Sequence, residues 1–223
     1  MNRRESFCLG GLLAVSALTP GVVQARRLFP ADSTDQYRVF QNSVSVGSQS
    51  LNFFHGDSGL VVATQMNLNY RNDAGKSVSF AHSARETWVS GWLHAFDSTT
   101  RHGDHAISVE ARTVERATLL VNSSEAEFPQ HISGYMVPGN LWHRDSRLHN
   151  VVMDMVDGRA KLVKVFYDGK EQLPSSTGAQ VTTHYRIRGE FNRDAWYTED
   201  CRLARMTWPL RGAAPLSFEL VTS

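Results

Sequence analysis

The residues best placed to do chemistry crowd into one stretch, His82 to His105, which carries Glu86, Trp88, Trp92 and the histidines His82, His94, His102 and His105. If Ser90-Gly91 forms the two-residue turn of a hairpin, then Phe80, His82, Ala84, Glu86 and Trp88 share one face of the first strand. Leu93, Ala95 and Asp97 then face the same side from its partner. A carboxylate on an apolar face is costly unless it is paired, so Glu86 is expected to have an interior partner, while Arg85 points the other way. Two roles follow. Glu86 is either a binding group or general acid–base with a raised pKa, or a hydrogen-bond anchor, and the anchor reading is preferred.

Nine histidines stand along the chain, all beyond its first 25 residues. His102-Gly-Asp-His105 could offer two ligands from a turn, and His82, His94 and His184 could converge across strands. Neither spacing matches a helix-borne pair or a cysteine-containing zinc site, so no metal is expected. A serine-nucleophile elbow and a phosphate-cradling glycine loop are absent from the sequence, and no cofactor is expected. The other chemical resource is aromatic: Trp88, Trp92, Trp142, Trp196, Tyr197 and Trp208. Such residues line cavities in barrels but more often fill them. The candidate ligand-binding set is therefore Glu86, Trp88, His82, Trp142, Tyr185 and Trp196.

Strands must position these groups. Side chains suited to a dry face recur at every second position, as in Tyr37 and Val39; Leu51 and Phe53; Met66, Leu68 and Tyr70; Ile107 and Val109; and Val181, Thr183, Tyr185 and Ile187. Alternation of this kind gives a strand one wet and one dry face. Turn signals fall between the segments: Gly56-Asp57-Ser58-Gly59, Asn72-Asp73-Ala74-Gly75, Ser90-Gly91, His102-Gly103-Asp104, Asp157-Gly158 and Asp168-Gly169. The pattern predicts an all-β fold, an antiparallel meander forming a barrel or curved half-barrel with little helix beyond the leader. Glu125 to Arg147 breaks the rhythm with Pro129, Gly134, Pro138 and Gly139, and reads as a long crossing loop, mobile or functional, that carries Tyr135, Trp142 and His143.

The chain opens with Met1-Asn2-Arg3-Arg4, an apolar run Phe7–Leu18 and then Val23-Gln24-Ala25. A basic start, a core well short of the roughly 18 residues a span needs, and small residues before a cleavage point describe a secretory signal. The expected divisions are residues 1–25 as signal peptide, 26–36 as a lead-in and 37–221 as a single β domain. Arg3-Arg4 leaves twin-arginine export open beside ordinary Sec export, although Phe7 sits one position late for that motif. Cleavage after Ala25 would remove Cys8 and leave Cys201 alone, without an internal disulfide. The net charge of +1 comes from Arg3, Arg4 and Glu5, so the remainder is neutral. That balance, with no polybasic stripe, argues against nucleic acid and against electrostatic docking on a membrane. No stable span is expected once the leader is cleaved.

Three phrases taken in order resemble an exported bacterial family known as a domain of unknown function. They are Glu86-Thr-Trp88-Val-Ser-Gly91-Trp-Leu93 with Asp97-Ser-Thr-Thr100; Asn140-Leu-Trp142-His143; and His184-Tyr185-Arg-Ile-Arg-Gly189 leading to Trp196-Tyr197. The resemblance runs from about Tyr37 to Leu220 and implies a β-rich periplasmic domain without an assigned activity. Thr198 stands where the family has an aspartate after its Trp-Tyr pair, which removes any role of that carboxylate unless Glu199 or Asp200 supplies it.

The leading functional expectation is a periplasmic or secreted protein that binds or carries a hydrophobic small molecule or lipid on an aromatic-lined concave face, without catalysis. An acid–base enzyme acting on a lipid or saccharide through Glu86 and a histidine is the rival. A structural envelope protein that meets partners along a sheet edge is the third.

Overall fold

The computed structural model describes residues 32–56, 59–115, 117–175 and 178–221. The signal-peptide segment 1–25 and most of the lead-in lie outside them. The first half of the chain forms β1 (Ser33–Gln41), β2 (Val44–Gly56), β3 (Gly59–Arg71), β4 (Ser77–Val89), β5 (Trp92–His102), β6 (His105–Glu115), β7 (Thr118–Ser123) and β8 (Gln130–Ser133). After a short 3₁₀ turn, Arg144–Arg147, come β9 (Val151–Met153), β10 (Ala160–Ser175), β11 (Gly178–Gly189), β12 (Arg193–Tyr197), β13 (Leu203–Leu210) and β14 (Ala213–Leu220). No α-helix occurs among the described residues, and hence none long and apolar enough to cross a membrane.

The strands make one antiparallel sheet in the order β8-β7-β6-β5-β4-β3-β2-β1-β14-β13-β12-β11-β10-β9. Each neighbour is the next strand in sequence except at the centre, where β1 meets β14 with Val39 opposite Phe218. The sheet is not closed: β8 and β9 are its two ends, and segment 134–150 joins them. Side-chain alternation sets the inner face. Along β3, Leu60, Val62, Thr64, Met66, Leu68 and Tyr70 are buried. Directly opposed residues then run across the strands as a row, Phe53, Val62, Glu86, Phe96, Ala111 and Val121, all buried. Glu86 sits inside an otherwise apolar row.

Two expectations need correction. The hairpin parity changes within β5, because Trp88 faces Leu93 while Thr87 faces Ala95, leaving His94 as the extra residue of a bulge. Leu93 points inward as expected, but Phe96, Ser98 and Thr100 follow it there, and Ala95 and Asp97 do not. Asp97 instead meets Arg112 at 2.7 Å. The second correction is the lead-in: β1 already begins at Ser33, with Asp35 opposite Leu51. Asp35 is buried and would be excluded from a strand's inner face if unpaired, but Arg202 donates to it at 2.6 and 2.9 Å.

The Ser90-Gly91 turn has positive φ at both residues, 49° and 84°, the conformation of a type I′ hairpin. A side chain at Gly91 would meet no atom within 4 Å, so only its backbone conformation resists substitution. Gly91→Val should therefore lower stability by about 1 kcal/mol in a urea melt, and an unchanged midpoint would contradict this turn geometry.

Candidate functional site

The loop expected between Glu125 and Arg147 includes β8, and beyond it the chain turns into the concave side of the sheet. Met136, Val137, Leu141 and Trp142 are buried there, as are Val152 and Met153 of the strand that follows. The segment is a plug, packed as core.

Glu86 holds that plug. Its carboxylate is wholly buried and accepts from Trp88 Nε1 at 2.9 Å, from Trp142 Nε1 at 3.0 and 3.2 Å, and from Asn140 Nδ2 at 2.5 Å. One donor comes from its own strand, two residues on. The other two come from the plug. Aromatic rings wall the carboxylate in: Trp88 meets Trp142 edge-to-face at 5.5 Å, Phe53 meets Trp142 at 5.2 Å, and His143 stacks on Trp88 at 4.7 Å. Burial pushes the Glu86 carboxyl up to about 7, while the hydrogen bonds from Trp88, Asn140 and Trp142 pull it back down. An oxygen pair sealed from solvent and occupied by three donor side chains is a structural anchor in geometry, and no substrate can reach it without displacing the plug.

His82 shares the inner face with Glu86 but lies four residues away along β4, about 13 Å at the rise of a strand. Its Nδ1 is 2.8 Å from Thr100 Oγ1, and desolvation pulls its pKa down to about 4. The two groups cannot exchange a proton directly. Tyr185 and Trp196 belong to the other half of the sheet. Tyr185 meets Tyr197 at 6.0 Å, with the Arg147 guanidinium 5.7 Å from both rings. Trp196 lies on the opposite face of β12 from Ala195 and Tyr197, stacks on His184 at 4.2 Å and donates to Glu171 at 2.9 Å. Of the six candidates, the fold brings together Glu86, Trp88 and Trp142. His82, Tyr185 and Trp196 stand apart from them.

The histidine turn also divides: His102 bonds the Tyr70 hydroxyl at 2.8 Å and His105 bonds Glu125 at 2.7 Å. Among the described residues no group of three His, Cys, Asp or Glu side chains could hold a metal ion.

What sequence reasoning did not anticipate is a cavity at the mouth of the curved sheet. It measures about 340 Å³ and is lined by Val89, Trp92, Leu93, His94, Thr113, Ala117, Thr118, Leu119, Gly134 and Met136. Trp92 is 46% exposed at its edge and meets Tyr135 at 5.1 Å, and Tyr135 in turn stacks on His149 at 4.7 Å. The bulge at His94 shapes this site, since it lets Leu93 and Phe96, three positions apart, both face inward and leaves Trp92 and His94 on the exposed side. The available signal was Trp92 itself, a tryptophan on the outward side of a tight turn.

Comparison with solved structures finds similarity to the crystal structure of a β-barrel-like protein of domain of unknown function DUF1849 from Brucella abortus. The TM-score is 0.60 at 9% sequence identity, over 85% of this chain and 95% of that one, a likeness of fold. No curated protein matches the chain. A family model described as a domain of unknown function, DUF6134, matches residues 37–220, and the chain belongs to that family.

Proposed function

We propose that this domain is an exported, non-catalytic binding module that takes a hydrophobic small molecule or a lipid chain at the mouth of the curved sheet. The observation that carries this reading is the cavity of about 340 Å³ beside Trp92. Its size falls in the range of ligand pockets, roughly 300–1,000 Å³, and barrel mouths are a usual place for them. Leu93, Leu119 and Met136 supply apolar walls, and Thr113, Thr118 and His94 supply a few polar atoms near the opening. The concave interior was the expected place for a ligand, but the plug fills it, so the proposal moves to the rim.

The acid–base alternative loses support from the burial of Glu86 behind the plug and from the three donors that already occupy its oxygens. The interaction-protein alternative draws on the outer edge of β10, which β9 covers only over Ala160–Leu162, and on the exposed Phe166 and Tyr167. A bulge at Asp168 and Pro174 near the strand's end blunt that edge against strand addition.

The test of the rim site is a titration with dodecanoate followed by isothermal titration calorimetry. Trp92→Ala should weaken binding roughly tenfold, about 1.4 kcal/mol, while leaving the urea midpoint unchanged, as expected of a half-exposed side chain. Equal affinity in the two proteins would remove the rim from consideration.

Export is the other part of the proposal. Deleting residues 1–25 should leave the chain in the cytoplasm, and N-terminal sequencing of the exported protein should begin near Arg26. An exported chain that still contained Phe7–Leu18 would mean an anchor in place of a cleaved signal.

A further inference from the structure

Where the plug meets the sheet, a much smaller cavity of about 20 Å³ has Gln49, Asn140, Asp154 and Arg193 in its lining, with Met66, Met206 and Trp208 among its apolar walls. Gln49 and Asn140 are 2% and 1% exposed. Three polar atoms of these lining residues are buried without a hydrogen-bond partner: Gln49 Oε1, Asn140 Oδ1 and Arg193 Nε. The orientation of the asparagine follows from Glu86, which when ionised can only accept and receives Asn140 Nδ2. Asn140 Oδ1 therefore turns away from Glu86. Arg193 is also constrained, its guanidinium lying 4.1 Å from the Phe191 ring centre and 4.7 Å from that of Trp208, with Nη1 donating to Asn192 O.

We infer that this cavity is a binding site for a single water molecule, which accepts a hydrogen bond from Arg193 Nε and donates to Gln49 Oε1 and Asn140 Oδ1. The stoichiometry selects the ligand. Two acceptors lack donors and one donor lacks an acceptor, and a water supplies two protons and a lone pair. A monatomic cation would satisfy the two oxygens and be drawn to Asp154, but it would leave Arg193 Nε without an acceptor beside a second positive charge, and an anion would leave both oxygens without a donor and face the Asp154 carboxylate. The volume makes the same choice, since one water needs at least about 10–15 Å³ measured in this way and anything larger would not fit.

The bound water adds to the protein's own contacts. It extends the Glu86–Asn140 hydrogen bond to Gln49 on β2 and to Arg193 on β12, a second tie between the plug and β12 beside the bond from the Tyr197 hydroxyl to Leu141 O. It also gives Arg193 a neutral partner in a place where burial pulls the guanidinium pKa down. This inference stands independently of ligand binding at the rim.

High-resolution electron density from crystals of the purified protein tests the site directly. The expected result is a water peak about 2.7–3.2 Å from all three atoms. An empty cavity, or side chains turned to bond one another directly, would overturn the inference. In solution, oxygen-17 magnetic relaxation dispersion should report one fewer long-lived water in Gln49→Met than in the wild type. An unchanged amplitude in that folded variant would also overturn it, and if the variant does not fold the wild-type density remains decisive.

Discussion

Glu86→Ala should cost about 4 kcal/mol of stability, most of it from the groups left behind rather than from the carboxylate removed. Trp88 Nε1, Trp142 Nε1 and Asn140 Nδ2 all donate to Glu86 in a region closed to solvent. An orphaned buried donor costs roughly 1–3 kcal/mol, and three become orphans at once. Glu86→Gln should be milder, about 1–3 kcal/mol, because its amide keeps one acceptor oxygen but aims an NH₂ group at existing donors. Urea melts of the two variants beside the wild type check the order. A Glu86→Ala protein as stable as the wild type would refute the anchor.

The same carboxyl gives a pH signature whose sign can be worked out. Its folded pKa of about 7 lies above the ordinary 4.5, so between those values the folded chain holds a proton that the unfolded chain has released. Stability from Glu86 therefore falls as pH rises from 4.5 to 7, by up to about 3 kcal/mol. His82 works in the opposite direction. Its pKa is lowered from 6.5 to about 4, so its contribution is complete above 6.5 and is lost as pH falls toward 4. Over the window the two share, their slopes nearly cancel. Glu86→Gln should thus expose the acid sensitivity due to His82, and a variant pH profile parallel to that of the wild type would contradict the assignment.

The second large effect is expected at Trp88. This side chain is 1% exposed, stacks on His143, meets Trp142 edge-on and donates to Glu86. Trp88→Ala removes a large buried surface at a place where the sheet on one side and the plug on the other limit collapse, so a cavity should remain. A cost of about 3–5 kcal/mol follows for such a truncation. Part of that cost is the lost donor to Glu86, so Trp88→Ala and Glu86→Ala should be less than additive when combined. Independent effects in a double-mutant cycle, or a fully stable Trp88→Ala, would mean that the two residues do not form one unit.

Much of this arrangement could be read in the sequence where the local signal and the tertiary structure agree. Strict alternation in β3 and β4 places Met66, Phe80, His82 and Glu86 on the inner face, and Ser90-Gly91 provides the turn. The need of a buried carboxylate for partners likewise followed from burial cost alone. The misplacements have two physical causes, a partner distant in sequence and a local break in a strand's own period. Asp35 joins a strand because Arg202 neutralises it across 167 positions, and periodicity cannot see such a partner. Ala95 and Asp97 change sides because one extra residue, His94, resets a two-residue period. The crossing segment carried Pro138 and Gly139, which signal irregular backbone but do not say whether that backbone lies outside the sheet or fills it. Its burial depends on the carbonyls and amides it finds there, such as Val137 O accepting from Met153 N and Leu141 O accepting from the Tyr197 hydroxyl.

A filled interior and a ligand site at the rim make distinct claims about which residues a bound molecule touches. Nuclear magnetic resonance shift mapping during titration with dodecanoate separates them. The account predicts perturbed signals at Trp92, Leu93, Leu119 and Met136, with the indole protons of Trp88 and Trp142 unmoved because their bonds to Glu86 persist. Large shifts at Trp88 and Trp142 with silence at the rim would show that the plug gives way to the ligand, and would contradict it.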